Sequence, residues 1–150
     1  PPPAPLIELN GCTIRSVSSF RFLGVFLDPK LLGHPHINFL TQKANKLTSV
    51  IRSLCGTWWG SDPKLLLGIY KSLIRGSIEY GCQFLPVYHS SKINKLEKIQ
   101  RKAIKICLGL RSSTPSNVVL AESGIPPLKL RCNLLSERYI LRSLASTNNP

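Results

Sequence analysis

Acidic residues are scarce in this sequence, and those present are far apart. Seven Asp and Glu occur among 150 residues, and no two of them lie within ten positions of each other. Metal-dependent nucleotidyl transfer requires carboxylates that hold two ions a few Å apart. The sequence therefore lacks the local signature of such a catalytic centre, although distant carboxylates can still meet in a fold.

Close cysteine pairs and long hydrophobic runs are also absent. The five cysteines are scattered, without the spacing that zinc and redox sites use. This predicts reduced thiols, most of them small core residues, in a nuclear or cytoplasmic protein. No apolar run approaches the roughly 20 residues of a membrane-spanning helix, so no such span is predicted.

The three histidines and the familiar catalytic motifs give no enzyme signature. His34 and His36 flank Pro35 without nearby Cys or acidic residues, so a surface turn or helix start is predicted there rather than a metal site. His89 has no evident partner. Because a glycine-rich phosphate loop and a serine elbow are both missing, the chain is predicted to have no catalytic residue, metal site or cofactor of its own.

Positive charge dominates what is present. Twenty Lys and Arg give a formal net charge of +13, and 43% hydrophobic residues are enough to expect a packed core. Such an excess repels itself unless an anion neutralises it, which favours nucleic acid as the partner. An anionic membrane surface and a merely soluble basic domain are the weaker alternatives, and no membrane partner is expected.

The first part of the chain has the pattern of β-strands. A hairpin is predicted around Asn10-Gly11, the pair that best tolerates the positive φ angles of a tight turn. A strand is predicted over residues 20–27, where Gly24 suggests a bulge or the close approach of another backbone. Residues 1–5, rich in proline, are predicted to be a linker.

The period then becomes helical. Apolar residues at alternating spacings of three and four, together with Asp62-Pro63 as a start and glycines as stops, predict helices over 37–54, 63–80, 91–108, 114–124 and 128–145. The predicted apolar faces of the first three helices consist of Ile37, Leu40, Ala44, Leu47, Ile51 and Leu54, of Leu66, Ile69, Tyr70, Leu73 and Ile74, and of Ile93, Leu96, Ala103, Ile104 and Cys107. The fold class is therefore α+β, mainly α: an N-terminal β-hairpin and strand followed by an antiparallel helical bundle. The predicted division is a β element over 6–28, a bundle over 36–109 and a further helical region over 110–150.

The third predicted helix carries the most informative pattern. At 100° per residue, five of its six cations fall within about 120° of one another: Lys95, Lys98, Arg101, Lys102 and Lys105. Glu97 is the only acid in the stretch, so the cations are not balanced along the helix. Such a stripe can follow phosphates and release counterions. The alternative is the solvated face of an amphipathic helix.

A thinner basic stripe lies on the second helix. It consists of Lys64, Lys71 and Arg75, and Glu79 can partly neutralise the last of these. Trp58 and Trp59, between the first two helices, could stack on a base, but a buried anchor for the loop is the favoured interpretation.

Residues 20–28, Phe-Arg-Phe-Leu-Gly-Val-Phe-Leu-Asp, resemble a known block. It is the last conserved block of the reverse transcriptases of non-long-terminal-repeat retrotransposons, commonly Phe-Lys-Tyr-Leu-Gly-Val followed by Leu-Asp. Further short blocks along the chain resemble the same family. The similarity of each block is weak when it is taken alone, but the order and spacing of the blocks are similar to those of the family over roughly residues 6–150, and most similar to those of jockey-like arthropod elements. These blocks are His36-Ile37, Trp59-Gly60, Tyr70 to Arg75, Glu79-Tyr80-Gly81, Leu96 to Gln100 with Ala103, Leu108-Gly109, Ser113-Thr114-Pro115, and Glu122 to Leu128 with Arg131. Where the family often has Gln-Asn, this chain has Gln100-Arg101, which adds charge.

The resemblance implies a place and a role for the chain. In that family the block containing Phe22, Leu23 and Gly24 follows the polymerase palm, and the helices after it form a thumb and a connector that grip the template–primer duplex. The chain would then be a non-catalytic fragment of an RNA-directed DNA polymerase, bound to an RNA·DNA or DNA duplex and to the palm of the same polypeptide. Magnesium would serve the parent enzyme through residues outside this sequence.

Two other interpretations remain open. The helices could form a domesticated, freestanding module that binds protein, with incidental charge, or the sequence could be an inactive genomic relic. Strong salt dependence of duplex binding would distinguish the gripping role from the protein-binding module.

Overall fold

The computed structural model describes residues 7–9, 11–14, 16–56, 60–82 and 90–145. The first two strands, β1 (Ile7–Leu9) and β2 (Cys12–Ile14), pair antiparallel with Ile7 opposite Ile14. Gly11 lies in the turn between them with φ 76°, a conformation that glycine adopts without a steric penalty. The predicted first hairpin is confirmed.

A second hairpin replaces the single strand expected over residues 20–27. Strands β3 (Phe20–Phe22) and β4 (Val25–Leu27) pair antiparallel, with Phe22 opposite Val25. The prediction was wrong because the chain reverses at Leu23 and Gly24, whose φ angles are 45° and 86°. Two consecutive left-handed residues form the tightest hairpin turn, and a leucine in the first position gives no sequence signal for it.

Helix α1 (His34–Leu54) begins after a turn that Asp28 organises. The Asp28 carboxylate accepts hydrogen bonds from the backbone N–H groups of Leu32 (3.0 Å) and Gly33 (2.7 Å). Pro35 lies in the first turn of the helix, where its missing N–H costs nothing. The predicted apolar face of α1 is confirmed, since Ile37, Leu40, Ala44 and Ile51 are buried and Leu47 and Leu54 pack against the same core.

The second predicted helix is continuous but changes its winding. It comprises α2 (Pro63–Ile69), a π-helical segment (Tyr70–Arg75) and α3 (Gly76–Glu79). Asp62 caps it as predicted, accepting from the Lys64 backbone N–H at 2.9 Å. Tyr70 and Ile74 are buried, whereas Leu73, which the pattern placed on the apolar arc, is exposed.

Helix α4 (Ser90–Cys107) lies at the centre of the bundle. It contacts α1, α2, the π-helical segment, α5 (Ser116–Ser123) and α6 (Leu128–Ala145). Its predicted inner face is confirmed by five buried residues: Ile93, Leu96, Ala103, Ile104 and Cys107. The α+β, mainly α class is confirmed. The division into a bundle over 36–109 and a connector over 110–150 stays a prediction.

The cysteines fit the role expected of them. Cys82, Cys107 and Cys132 are buried, and none of the five forms a disulfide. Burial raises the pKa of Cys107 to about 11, so this thiol stays protonated at neutral pH. Within the described residues, no helix is long and apolar enough to cross a membrane.

Candidate nucleic-acid interface

From Lys95 to Cys107, helix α4 separates charge from apolar surface. Lys95, Lys98 and Lys102 are exposed, and Arg101 and Lys105 are half-buried, while the opposite side of the helix enters the core. Each turn supplies core contacts on one side and ammonium or guanidinium groups on the other, because apolar and basic residues recur with helical period. The five cations of the predicted stripe therefore lie together on the side of α4 that faces away from the core.

A groove of about 450 Å³ gathers most of these cations. Four of the five predicted cations of α4 line it, and α1 and the segment after α4 supply its remaining walls. The lining residues are Arg52, Lys98, Arg101, Lys102, Lys105, Ile106, Leu110 and Ser112. Lys95 lies on the same side of α4 but does not line the groove.

Sequence patterns missed Arg52. It lies in the last turn of α1 on an exposed position, and only the packing of α1 against α4 brings it to the groove. The one available signal was its place outside the apolar stripe of α1, without an acidic residue nearby in sequence. A basic residue near a helix C-terminus is also explained by its favourable interaction with the helix dipole. An arginine at this position therefore does not by itself indicate a binding site.

Few carboxylates neutralise the groove. Arg101 pairs with Glu97 at 3.6 Å, and that carboxylate also accepts from the Lys129 backbone N–H at 3.1 Å. Lys105 donates its Nζ to the Ser112 carbonyl at 2.6 Å, which fixes one wall of the groove. Within the described ranges, Arg52, Lys98 and Lys102 form no ion pair. Their charges face solvent and are available to an anion.

The cations of the second helix are placed differently. Lys64 and Lys71 are exposed and do not line the groove. Arg75 pairs with Glu79, as the sequence suggested, and Glu79 also binds Arg131 of α6 at 2.9 Å. Arg75 therefore has a partner inside the fold, and contact with a phosphate would compete with this ion pair.

Glu79 links two helical segments through this arrangement. Burial alone would raise its pKa, but hydrogen bonds from Arg131 and Arg75 outweigh that effect and lower the pKa below its ordinary value. The carboxylate is therefore ionised at neutral pH and joins α3 to α6.

The predicted palm-junction motif forms the exposed tip of the second hairpin. Phe22 is 56% exposed and Leu23 75% exposed. Together with Val25, Leu27, Glu79, Tyr80 and Gly81 they line a mainly apolar cavity of about 400 Å³. Gly24 leaves little room for a side chain, because a Cβ there would lie 3.2 Å from Cε1 of Tyr80, closer than ordinary van der Waals contact. The close approach suspected at this glycine is thus made by an aromatic ring.

His36 is a buried structural residue at the start of α1. Its Nδ1 accepts a hydrogen bond from the Phe26 backbone N–H at 3.4 Å. Burial lowers its pKa, which keeps the imidazole neutral near pH 7 and suits this acceptor role. The helix-start role predicted for this region is present, but the residue lies in the interior rather than in a surface turn.

Four of the described carboxylates are committed to the fold. Asp28 organises the turn before α1, Asp62 caps α2, and Glu79 and Glu97 bind cations and backbone. Among the residues that the structure describes, no group of three or more His, Cys, Asp and Glu could hold a metal ion. Trp58, Trp59 and His89 lie outside the described residues.

Sequence comparison identifies relatives for nearly the whole chain. It is 28% identical over 144 residues to the RNA-directed DNA polymerase from mobile element jockey of Drosophila melanogaster, covering 92% of this chain and 15% of that protein. It is 28% identical over 138 residues to a retrovirus-related Pol polyprotein from a type-1 retrotransposable element of Nasonia vitripennis, covering 91% of this chain and 35% of that protein.

A third relative is the corresponding Pol polyprotein of Bradysia coprophila, 30% identical over 138 residues, which cover 89% of this chain and 14% of that protein. The chain thus spans well under half the length of the relatives it matches. No protein-family model and no solved structure matches it. The resemblance inferred from the motifs is confirmed, and the chain is homologous to one region of the RNA-directed DNA polymerases of jockey- and R1-type non-LTR retrotransposons.

Proposed function

We propose that this chain is the duplex-gripping, non-catalytic region of a retroelement RNA-directed DNA polymerase, and that it holds an RNA·DNA template–primer duplex by its phosphates. One observation carries the proposal. Arg52 and four cations of α4 converge on one groove, where Glu97 is the one described carboxylate in ion-pair distance of any of them.

Phosphate contact is the chemistry that this groove fits best. Lysine and arginine on a rigid helix replace condensed counterions along a nucleic-acid backbone, and this supplies affinity without reading sequence. A polymerase region that must slide along every template needs such sequence-independent contact. Ile106 and Leu110 add apolar surface to the groove, but the described lining has no aromatic ring on which a base could stack. Backbone contact is therefore favoured over base recognition.

Lys64, Lys71 and Lys95 belong to the same proposal as outlying contacts. All three are exposed beyond the groove, where they can meet phosphates farther along a duplex. Arg75 is the weakest member of the proposed set, because using it would compete with its ion pair to Glu79.

The exposed tip of the second hairpin is proposed to contact the palm of the same polypeptide. Phe22 and Leu23 present apolar surface beside a cavity of about 400 Å³, and burying such surface is favourable. Magnesium for catalysis would be held by carboxylates of the palm. In a longer polypeptide that includes the palm, hydrogen exchange at residues 22–24 should be slower than in this chain alone. Equal exchange in both would count against this contact.

Salt dependence tests the gripping role directly. Binding to a blunt RNA·DNA hybrid should weaken steeply as salt rises, with a slope of roughly 0.7–0.9 log units per phosphate contacted. Replacing Arg52, Lys98 and Lys102 together by Ala should reduce that slope by roughly two to three units. The folded structure should persist, since all three side chains are exposed and form no described ion pair.

A matched control comes from three other exposed lysines. Lys30, Lys43 and Lys46 are exposed and do not line the groove, so their triple Ala variant removes the same charge from elsewhere. It should keep most of the salt slope. Equal losses of salt slope in the two variants would mean that only the net charge of the protein matters. If the chain does not bind the hybrid, or if the groove substitutions leave binding unchanged, the protein-interaction module is favoured.

A further inference from the structure

Two buried thiols lie in contact where α6 joins the bundle. Cys82, three residues after α3, is 2% exposed, and Cys132 of α6 is fully buried. The thiol of Cys132 donates a hydrogen bond to Sγ of Cys82, which lowers the pKa of Cys82 and raises the pKa of Cys132. Neither residue is in a disulfide. The two sulfur atoms are therefore neighbours within the apolar core.

An ion pair joins the same two segments of the chain. Glu79 lies three residues before Cys82, and its partner Arg131 directly precedes Cys132. The arginine donates Nε to Oε1 at 2.9 Å and Nη2 to Oε2 at 3.4 Å. This contact involves no sulfur atom, so it places the two segments side by side independently of the thiols. A disulfide requires that the backbones of its two cysteines already lie close together.

Helix α6 is attached to the bundle mainly through its first turns. Its buried residues are Leu128 and Cys132, and the backbone N–H of Lys129 donates to Glu97 at 3.1 Å. Residues 137–142 are all exposed. A covalent bond at Cys132 would therefore act on the part of α6 that holds the helix to the rest of the fold.

We propose that Cys82 and Cys132 form a redox switch, in which a peroxide converts the two thiols to a disulfide that fastens α6 to the segment after α3. Cys82 loses its proton, and its sulfur attacks one oxygen of hydrogen peroxide. The O–O bond breaks, the second oxygen leaves with that proton as water, and a sulfenic acid remains. The sulfur of Cys132 then attacks the sulfenic sulfur, and a second water leaves as the S–S bond forms.

The electrons balance in this sequence of steps. The two thiols lose two electrons, and the peroxide oxygens gain them. Cys82 is the residue that attacks first, because the hydrogen bond from Cys132 favours its thiolate and the thiolate is the nucleophilic form. A dithiol reductant reverses the reaction by thiol–disulfide exchange. In reducing surroundings the switch is therefore open, as in the structure described here.

Cys55 and Cys107 provide a matched pair in the same chain. Both line one cavity of about 300 Å³, and Cys55 is more exposed than Cys82 or Cys132. Burial raises the pKa of both thiols, and they donate hydrogen bonds to backbone carbonyls rather than to each other. If exposure alone determined oxidation, the pair that contains Cys55 would react before the buried pair.

The test oxidises the complete chain with hydrogen peroxide and maps the disulfides that form. Cys12→Ser removes the exposed thiol and so limits links between molecules. After alkylation of the remaining thiols, mass spectrometry of unreduced peptides should find the Cys82–Cys132 bond at least about tenfold more often than Cys55–Cys107. The same preference should persist in the Cys55→Ser chain at unchanged rate. It should disappear in urea, where the fold no longer brings the two thiols together.

Hydrogen exchange measures what the bond does to α6. The disulfide closes a loop of 50 positions and restricts the opened state, so exchange at residues 128–136 should slow at least about tenfold on oxidation. Dithiothreitol should restore the original rate. Three results would overturn the proposal: Cys55–Cys107 forming as readily, sulfinic acid accumulating at Cys82 or Cys132 without a disulfide, or unchanged exchange in α6 after the bond has formed.

Discussion

The hydroxyl of Tyr80 donates a hydrogen bond to the carbonyl of Leu23, joining the end of α3 to the turn of the second hairpin across 57 positions of sequence. The ring of Tyr80 also closes over Gly24. Two of the segments that resemble the retrotransposon family, 20–28 and 79–81, therefore meet in space. The turn that presents Phe22 and Leu23 is held on the bundle by this contact.

Removing this contact should loosen the hairpin without unfolding the bundle. Tyr80→Phe deletes the hydrogen bond and keeps the ring, and an intramolecular hydrogen bond contributes about 0.5–1.5 kcal/mol. Tyr80 is exposed, so water compensates and the low end of that range is expected. Hydrogen exchange should rise at residues 22–26 and stay unchanged in α4. Faster exchange throughout α4 would show that the contact has a global role.

Gly24 and Gly11 offer a matched pair for testing the close approach. Both have positive φ, 86° and 76°, so an alanine at either position is strained by about 1–2 kcal/mol. Only at Gly24 would the new Cβ also meet Tyr80, at 3.2 Å. Urea unfolding should therefore show a larger loss of stability for Gly24→Ala than for Gly11→Ala. Equal losses would mean that the ring moves aside at no cost.

Glu79→Gln should destabilise the junction of α3 and α6 in a pH-dependent manner. The folded-state pKa of Glu79 lies below its ordinary value of about 4.3. The contribution of Glu79 to the free energy of unfolding is therefore fully present at pH values above the ordinary pKa, and it is lost as the pH falls through the lowered folded-state pKa. Since the carboxylate is mostly buried and binds two arginines, the variant should lose about 1–3 kcal/mol at pH 7.

Urea unfolding from pH 7 down to pH 3 measures this effect. The difference between the natural chain and Glu79→Gln should shrink as the pH drops below about 4.3. A difference that stays constant over this range would mean that the charge of Glu79 does not carry the contribution.

Core packing around α4 gives a further stability prediction. Ile104 is fully buried at the centre of the bundle, so Ile104→Ala should cost about 2–5 kcal/mol through lost burial and the cavity left behind. The matched control is Ile140→Ala on α6, where the side chain is 55% exposed, and its expected change is within about 0.5 kcal/mol. Thermal or urea unfolding measures both. A small loss at Ile104 would contradict the central position of α4.

The helices could be predicted from the sequence because their limits are local. Asp62 and Pro63 start one helix, Gly109 and Gly124 end two others, and apolar spacing fixed the buried faces of α1 and α4. Such signals act within a few residues, so no knowledge of the tertiary fold is needed.

The parts that sequence patterns missed depend on contacts between distant segments. The turn at Leu23 is stabilised by Tyr80, and a leucine with positive φ has no sequence signature. The π-helical winding of Tyr70–Arg75 changes the helical register, and Leu73 emerges at the surface. Arg52 joins the groove only through the packing of α1 on α4. The stripe on α4 could be predicted because it depends only on local spacing. Its division into groove cations and outlying cations could not, because the groove depends on the packing of distant segments.

That division yields the sharpest test of the interface. Lys95 and Lys102 are both exposed lysines of α4, and a simple basic stripe would make them equivalent. Only Lys102 lines the groove with Arg52, Lys98, Arg101 and Lys105, so a phosphate placed there interacts with several cations at once. Lys102→Ala should lower the salt slope of RNA·DNA binding by about one unit, and Lys95→Ala should lower it by clearly less. Fluorescence anisotropy titrations at four or more salt concentrations measure both slopes. Equal effects would show that the charge of the helix face, rather than the groove, determines binding, because the two substitutions remove the same charge from the same helix and differ only in position.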